Sequence, residues 1–292
     1  MGAVGFYIFY GLNWIITLLP MKVLYVTADL IFLLLYYFPS YRRKVVYSNL
    51  RNSFPEKSPE ELRIIERKFY RHLSDLFVEI LKLEHISSGE MMKRMRVTNP
   101  EVLTGLFEEN RDILAVLGHY GNWEWLQCLI FFTKHQVVSV YKPLQDKRFD
   151  KFLRNIREKK GMILTPMSQI IREIISMRQQ GILSLFAFIT DQTPPKNEIR
   201  YWTTFLNQDT PVYTGIEKIA SKYDMTIVYF YIRKVKRGYY EATAEVLFEH
   251  SVGLSEHQIT ESHVRKLEES IRENPEYWMW SHRRWKHKRV VS

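Results

Sequence analysis

Beginning at Asp112, short apolar runs with strand character alternate with amphipathic stretches at helical spacing, and this alternation limits the fold more than any other feature. Strands are expected at 112–117, 136–141, 182–189, 226–232 and 239–247. Helices are expected between and after them, at 122–133, 148–159, 168–180, 212–223 and 257–273. Such a rhythm builds an α/β layer architecture, a mixed or mostly parallel central sheet covered by helices. Upstream, Leu62, Ile65, Phe69, Leu73, Leu76, Phe77, Ile80 and Leu81 recur every three or four residues, which predicts a long helix over about 59–84 after a short turn.

The first of those strands ends in a motif with chemical content. Directly after Asp112-Ile-Leu-Ala-Val-Leu-Gly118 stands His119-Tyr-Gly-Asn-Trp-Glu124, a base at a strand exit with a carboxylate five residues on. If a helix starts at Gly121 or Asn122, both capping types, Glu124 falls in its first turn and is expected to reach back to the imidazole. An oriented histidine is equipped to abstract a proton, the base-and-orienter part of a triad without a serine. A plainer reading fits the same spacing: a loop histidine, and a first-turn glutamate favoured by the helix dipole. Open sheets collect ligands at the carboxyl ends of their strands, so Asp191-Gln192, after the strand 182–189, are expected at the same edge if the strands run parallel. A structural turn explains that segment equally well.

The amino-terminal part differs from the rest. Residues 1–21 carry no charge and residues 23–38 carry only Asp29. The run from Gly2 to Leu19 is marginally long enough to span a bilayer, and a shallow hairpin, a helix lying in the interface or a buried helix pair fit as well. Lys22, Arg42, Arg43, Lys44 and Arg51 all follow the start of the run, which would hold the body of the protein on the cytoplasmic side. The expected division is a membrane-anchoring or interfacial helical segment at 1–40 and one α/β domain at 41–292.

Of the formal net charge of +10, five positive charges come from Arg283, Arg284, Lys286, Lys288 and Arg289 in an acid-free carboxyl terminus. Trp278, Trp280 and Trp285 interleave with them, a mixture suited to an anionic membrane surface, although a solvated basic tail has the same composition. No nucleic-acid motif accompanies the patch, and no nucleic-acid partner is expected. Cys128 is the only cysteine, so no internal disulfide forms. It falls near the face of Glu124 on a helix, yet its neighbours Gln127, Leu129, Ile130 and Phe131 mark it as a packing residue. No Cys/His cluster with metal-ligand spacing, Gly-x-Ser-x-Gly elbow, phosphate-binding loop or dinucleotide fingerprint occurs, so neither a metal nor a cofactor is expected.

Further strings connect these residues to a known family. Besides His119 and Glu124, the chain carries Tyr141-Lys-Pro143, Arg157-Glu-Lys-Lys-Gly161, Asp191-Gln192 and Asn274-Pro-Glu-Tyr-Trp-Met-Trp-Ser-His-Arg-Arg-Trp-Lys286. With these it resembles the bacterial lipid A late acyltransferases, a branch of the His-x4-Asp/Glu glycerolipid acyltransferases. The last string is the most specific, and the matches span nearly the whole chain. Lys142 departs from the family's usual Arg, and Leu206-Asn207 depart from its usual residues after Phe205.

The resemblance implies transfer of a fatty acyl chain from an acyl carrier protein or acyl-CoA thioester to a hydroxyl of an anionic glycolipid, a lipid A precursor. It implies His119, Glu124, Arg157 and Asp191 as catalytic residues. Among the arginines of the charged segment 154–160, only the family pattern singles out Arg157, since a solvated helix face explains the run as well. The implied location is the bacterial inner membrane, catalytic domain on its cytoplasmic face. The same chemistry on an amino-acid lipid, lysophospholipid or other glycolipid is the nearest alternative, and a membrane-tethered basic binding protein is the alternative of another class.

Overall fold

A computed structural model describes residues 3–38 and 41–289. Pro39 and Ser40, where the expected division falls, lie outside the described residues, as do the first two residues of the expected anchor and the last three of the tail. The chain opens with helices α1 (Ala3–Leu18), α2 (Met21–Tyr37), α3 (Arg43–Ser53), α4 (Pro59–Lys82) and α5 (Ser88–Arg94). Then follow β1 (Met95–Val97), α6 (Pro100–Glu108), β2 (Ile113–Leu117), a 3-10 helix (Trp125–Phe131), β3 (Gln136–Tyr141) and α7 (Lys147–Glu158). Next come β4 (Ile163–Pro166), α8 (Ile170–Gln179), β5 (Ser184–Ile189), β6 (Tyr201–Phe205), β7 (Gln208–Val212) and α9 (Gly215–Tyr223). The long strands β8 (Thr226–Lys236) and β9 (Tyr239–Phe248) and helix α10 (Gln258–Glu273) complete it.

Seven strands form the central sheet in the order β1-β9-β8-β2-β5-β3-β4. All neighbours run parallel except β8 and β9, an antiparallel hairpin. This is the mostly parallel α/β sheet expected from the alternation. At its centre every residue of β2 is buried, as a strand covered on both faces must be. Side chains alternate between two cores. Leu114, Val116, Phe186, Phe188, Ile227 and Tyr229 face α8, α9 and α10. Ile113, Ala115, Leu117, Leu185, Val228 and Phe230 face α5, α6, the 3-10 helix and α7.

Helix α4 begins where its sequence says it should. The Ser58 hydroxyl accepts from the Glu61 amide at 3.3 Å and Glu61 Oε2 accepts from the Ser58 amide at 2.8 Å, with Pro59 at the first helical position. Its apolar stripe, Leu62, Ile65, Phe69 and Leu73, packs into the first core.

Helices α1 and α2 are apolar on more than one side. Phe6, Met21, Leu24, Ala28 and Phe32 are buried against the body. Val4, Ile8, Leu12 and Ile15 form an exposed stripe on α1, continued on α2 by Val23, Val26, Leu30, Leu33 and Leu34. No helix among the described residues is long and apolar enough to cross a membrane.

Four short strands and three helices were not evident from periodicity. The strands β1 and β4 are edges of three and four residues, and β4 ends in Pro166, which cannot donate to a further ladder. The pair β6 and β7 forms its own two-stranded sheet and contains Pro211. The helix expected over 122–133 is instead a 3-10 helix that starts at Trp125.

Candidate active site

Parallel pairing of β2 and β5 sets Leu117 opposite Ile189. Each strand then runs two residues past that pair, to His119 and to Asp191. The register therefore delivers a base and an acid to one point at the carboxyl edge of the sheet. Asp191 Oδ1 lies 2.7 Å from His119 Nδ1, and Asp191 Oδ2 accepts the His119 amide at 2.9 Å. The indole of Trp278 donates a third bond, to Oδ2, at 2.7 Å. Burial by itself would raise the Asp191 carboxyl, but the His119 charge and these donors outweigh it and hold the group down to about 2. As a carboxylate it can only accept, so Nδ1 of His119 donates to it and Nε2 is the ring nitrogen left facing outward. Nε2 faces Gln192 Nε2 at 3.3 Å on the accessible side of the ring, whose side chain retains 17% exposure. The Trp123 ring packs edge-on against the imidazole at 5.0 Å.

The turn after His119 is held at several points. Gly121 adopts φ +61°, and a Cβ there would lie 2.7 Å from Ile232 Cγ2, so both conformation and space call for glycine. Its amide donates to the Tyr277 carbonyl at 3.0 Å, while Tyr120 bridges to Trp278. Asn122 is fully buried; its Oδ1 caps the Trp125 amide at 3.0 Å and its Nδ2 donates to Glu79 Oε2 at 2.7 Å. Burial pushes the Glu79 carboxyl up to about 7, against the Lys234 charge and the hydrogen bonds of Tyr25 and Tyr240. Through Glu79 the turn is therefore linked to α2, whose Tyr25 hydroxyl donates to Glu79 Oε1 at 2.8 Å.

Glu124 does not take the place expected for it beside the imidazole. It precedes the 3-10 helix, and its two oxygens are gripped by Arg157: Nε donates to Oε2 at 2.9 Å and Nη2 to Oε1. Burial favours the neutral guanidine, yet the Glu124 charge and these bonds raise the Arg157 pKa above its usual value. The place beside the imidazole is taken by Asp191 because it follows a neighbouring strand in register, whereas Glu124 meets the last turn of α7. All four residues named from the sequence thus belong to hydrogen-bonded pairs at this edge, but they pair as His119 with Asp191 and Glu124 with Arg157.

The carboxyl-terminal segment also corrects an expectation. Trp278 and Trp280 are buried, not interfacial. The Trp280 indole donates to the Pro275 carbonyl at 2.6 Å and that of Trp285 to Thr210 Oγ1 at 2.7 Å. Arg284 is buried as well and donates to the Pro211 carbonyl at 2.8 Å. This segment supports the site from behind rather than trailing as a free basic tail. Cys128 is fully buried, and burial pushes its thiol well above the usual range, as a packing residue requires. Trp278, Asn122 and Glu79 were missed as site residues, since only the tertiary structure brings them to the turn.

The sequence profile described as bacterial lipid A biosynthesis acyltransferase matches residues 2–287. The chain belongs to that family. No curated protein sequence matched it. In this acyltransferase the strings quoted above as family-like converge in space: His119 and Asp191 pair directly, Trp278 donates to Asp191, and Arg157 clamps the end of the same turn.

Proposed function

We propose that this acyltransferase moves a fatty acyl chain from a thioester of acyl carrier protein, or of coenzyme A, to a hydroxyl of a lipid A precursor. His119 is the general base. Its Nε2 takes the hydroxyl proton as the oxygen attacks the thioester carbonyl; the new C–O ester bond forms and the C–S bond breaks. The proton held by His119 then passes to the departing thiolate. Asp191 keeps the proton on Nδ1 and stabilises the imidazolium that forms on Nε2 protonation. The Glu124–Arg157 pair fixes the far end of the 119–124 turn against α7. Attack is direct, with no acyl-enzyme, because the turn offers no serine or cysteine beside His119 and the Tyr120 hydroxyl is turned away to the Asn274 carbonyl.

The observation that carries this reading is the triple grip on Asp191 by the His119 ring, the His119 amide and Trp278, which sets one tautomer and one ring orientation. A binding protein has no need of an oriented base with an accessible Nε2.

The protein is placed on the cytoplasmic face of the bacterial inner membrane, with α1 and α2 lying in the interface. Support comes from the two exposed apolar stripes, contiguous apolar surface of a kind soluble proteins rarely show. Helix α1, at 16 residues, is about 24 Å long, less than the ~30 Å hydrocarbon thickness.

The test is transfer by purified full-length protein in detergent, with acyl carrier protein and coenzyme A thioesters as alternative donors. Lipid A precursor and lysophospholipid are offered as alternative acceptors, and products are read by mass spectrometry. One added acyl chain on the precursor supports the reading. Transfer to lysophospholipid alone would move the acceptor assignment to another membrane lipid, and no transfer from either donor would sink the reaction.

A further inference from the structure

Away from His119, a cavity of about 970 Å³ opens between the α3–α4 turn, the β6–β7 turn and the carboxyl-terminal segment. Its walls do not include His119, Glu124, Arg157 or Asp191. Asn207 Nδ2 donates to the Ser53 carbonyl at 2.9 Å and Gln208 Nε2 to Ser53 Oγ at 3.1 Å, tying one wall to another. Trp285, anchored on Thr210, belongs to the lining together with Tyr47 and Phe54.

The charge of these walls is one-sided. Arg51, Lys57, Lys288 and Arg289 line the cavity, and Asp209 is the single acid in it among the described residues. The side chains of Arg51, Lys288 and Arg289 have no ion-pair or hydrogen-bond partner among the described residues, and Lys57 lies 5.8 Å from the Phe54 ring and within electrostatic reach of Glu61, without an ion pair. Nε2 of His287, another wall residue, is buried and without a hydrogen-bond partner. Four cations without an ion pair, drawn around one concavity, repel one another, and its walls offer them one carboxylate among the described residues, Asp209.

We propose that this cavity is a binding site for a phosphate monoester. A monoester carries between one and two negative charges near neutral pH and three acceptor oxygens, a match for two guanidinium forks and two ammonium groups. A carboxylate would leave most of that charge unanswered. The volume exceeds what a bare ion needs, and the aromatic walls offer cover to the organic remainder of the ligand. Two sources share this chemistry: the phosphorylated headgroup of a lipid, or a soluble phosphate ester. Trp285 packs at 5.9 Å on Trp278, the donor to Asp191, so a ligand held here is registered against the catalytic edge. The site itself does not depend on the acyl-transfer reading, because its test is direct binding.

Full-length protein in non-ionic detergent is titrated calorimetrically with inorganic phosphate at fixed ionic strength. Separately, its partition is measured onto phosphatidylcholine vesicles containing phosphatidic acid, a monoester, or phosphatidylglycerol, a diester. The combined variant Arg51→Gln, Lys57→Gln, Lys288→Gln and Arg289→Gln is compared with a control that loses the same charge from exposed Lys93, Lys134, Lys218 and Lys222. Phosphate affinity should fall by about tenfold or more in the cavity variant and stay unchanged in the control. Lys288→Gln alone, at an exposed position that disturbs no contact, should show a smaller loss in the same direction and guards against misfolding of the combined variant. Preference for phosphatidic acid over phosphatidylglycerol, erased by inorganic phosphate, assigns a lipid headgroup. Equal partition onto both vesicles, with site-dependent phosphate binding intact, assigns a soluble ester. Equal losses in cavity and control variants, or polyglutamate bound as tightly as phosphate, would overturn the proposal.

Discussion

His119 and Asp191 occupy equivalent positions on adjacent parallel strands, each two residues beyond the paired Leu117 and Ile189, and their side chains meet at 2.7 Å. The dyad is thus a product of sheet register. A slip of one residue in either strand would turn its side chains to the opposite face and separate the pair. Because β2 is buried on both faces, that slip would also expose core residues to the wrong layer, so the packing that stabilises the fold also protects the site.

Replacing Asp191 with Asn tests the orienting role. With its oxygen in the place of Oδ2, an amide still accepts from the His119 amide and the Trp278 indole, but its N–H2 group then faces Nδ1 of His119, which loses its acceptor. The His119 tautomer is no longer fixed. Turnover should drop by roughly 10²–10⁴-fold, within the range for a positioned acid–base group, while the Michaelis constant changes little. A raised Michaelis constant with normal turnover would assign Asp191 to substrate binding instead.

The Glu124–Arg157 pair predicts coupling in a double-mutant cycle. Both groups are mostly buried, with side chains 11% and 21% exposed, so removing one partner leaves the other's charge poorly solvated. Glu124→Ala and Arg157→Ala should each destabilise the protein to denaturant. The double variant should be less unstable than the sum of the two by about 0.5–3 kcal/mol. Additive losses would mean that the pair does not act as a unit.

Stability should fall on mild acidification through His263. Burial lowers this side chain to about 4 from an ordinary 6.5, with Thr190 Oγ1 3.5 Å from its Nδ1. Between those values the unfolded chain binds a proton that the folded chain refuses, so stability declines as pH drops from 6.5 toward 4. The size is on the order of 3 kcal/mol for a shift of this extent. His263→Gln should flatten that part of the stability–pH curve, measured by chemical denaturation at successive pH values. An unchanged slope would place the pH dependence elsewhere, the half-buried His282, also lowered to about 4, being the next group to replace.

Much of this architecture was legible in the chain. The strands β2, β3, β5, β8 and β9 and the helices α4 and α7–α10 all lie within a few residues of where periodicity puts them, because each buries a continuous run or a three-to-four stripe. Edge strands β1 and β4 escaped notice because three or four residues carry too little pattern. The partners of the site were harder to see. His119-x4-Glu124 is a local spacing and invites a local pairing, whereas the ring's real partner sits 72 residues away on a strand whose neighbour only the sheet order reveals. For the same reason, the tryptophans near the carboxyl terminus read as interfacial beside their cations. Their indole N–H groups are in fact satisfied at Asp191, Pro275 and Thr210, partners that composition does not disclose.

The central claim is that Nε2 of His119 removes the acceptor's proton. Single-turnover transfer by His119→Ala, with the acyl thioester in excess of its binding constant and folding checked by thermal unfolding, addresses it most directly. The account predicts that the folded variant still binds donor and acceptor but transfers at least about 10²-fold more slowly. It also predicts that adding Asp191→Ala to this variant slows transfer little further, since the two residues act as one unit. A folded His119→Ala protein that transfers at nearly the normal rate would contradict the account at its root.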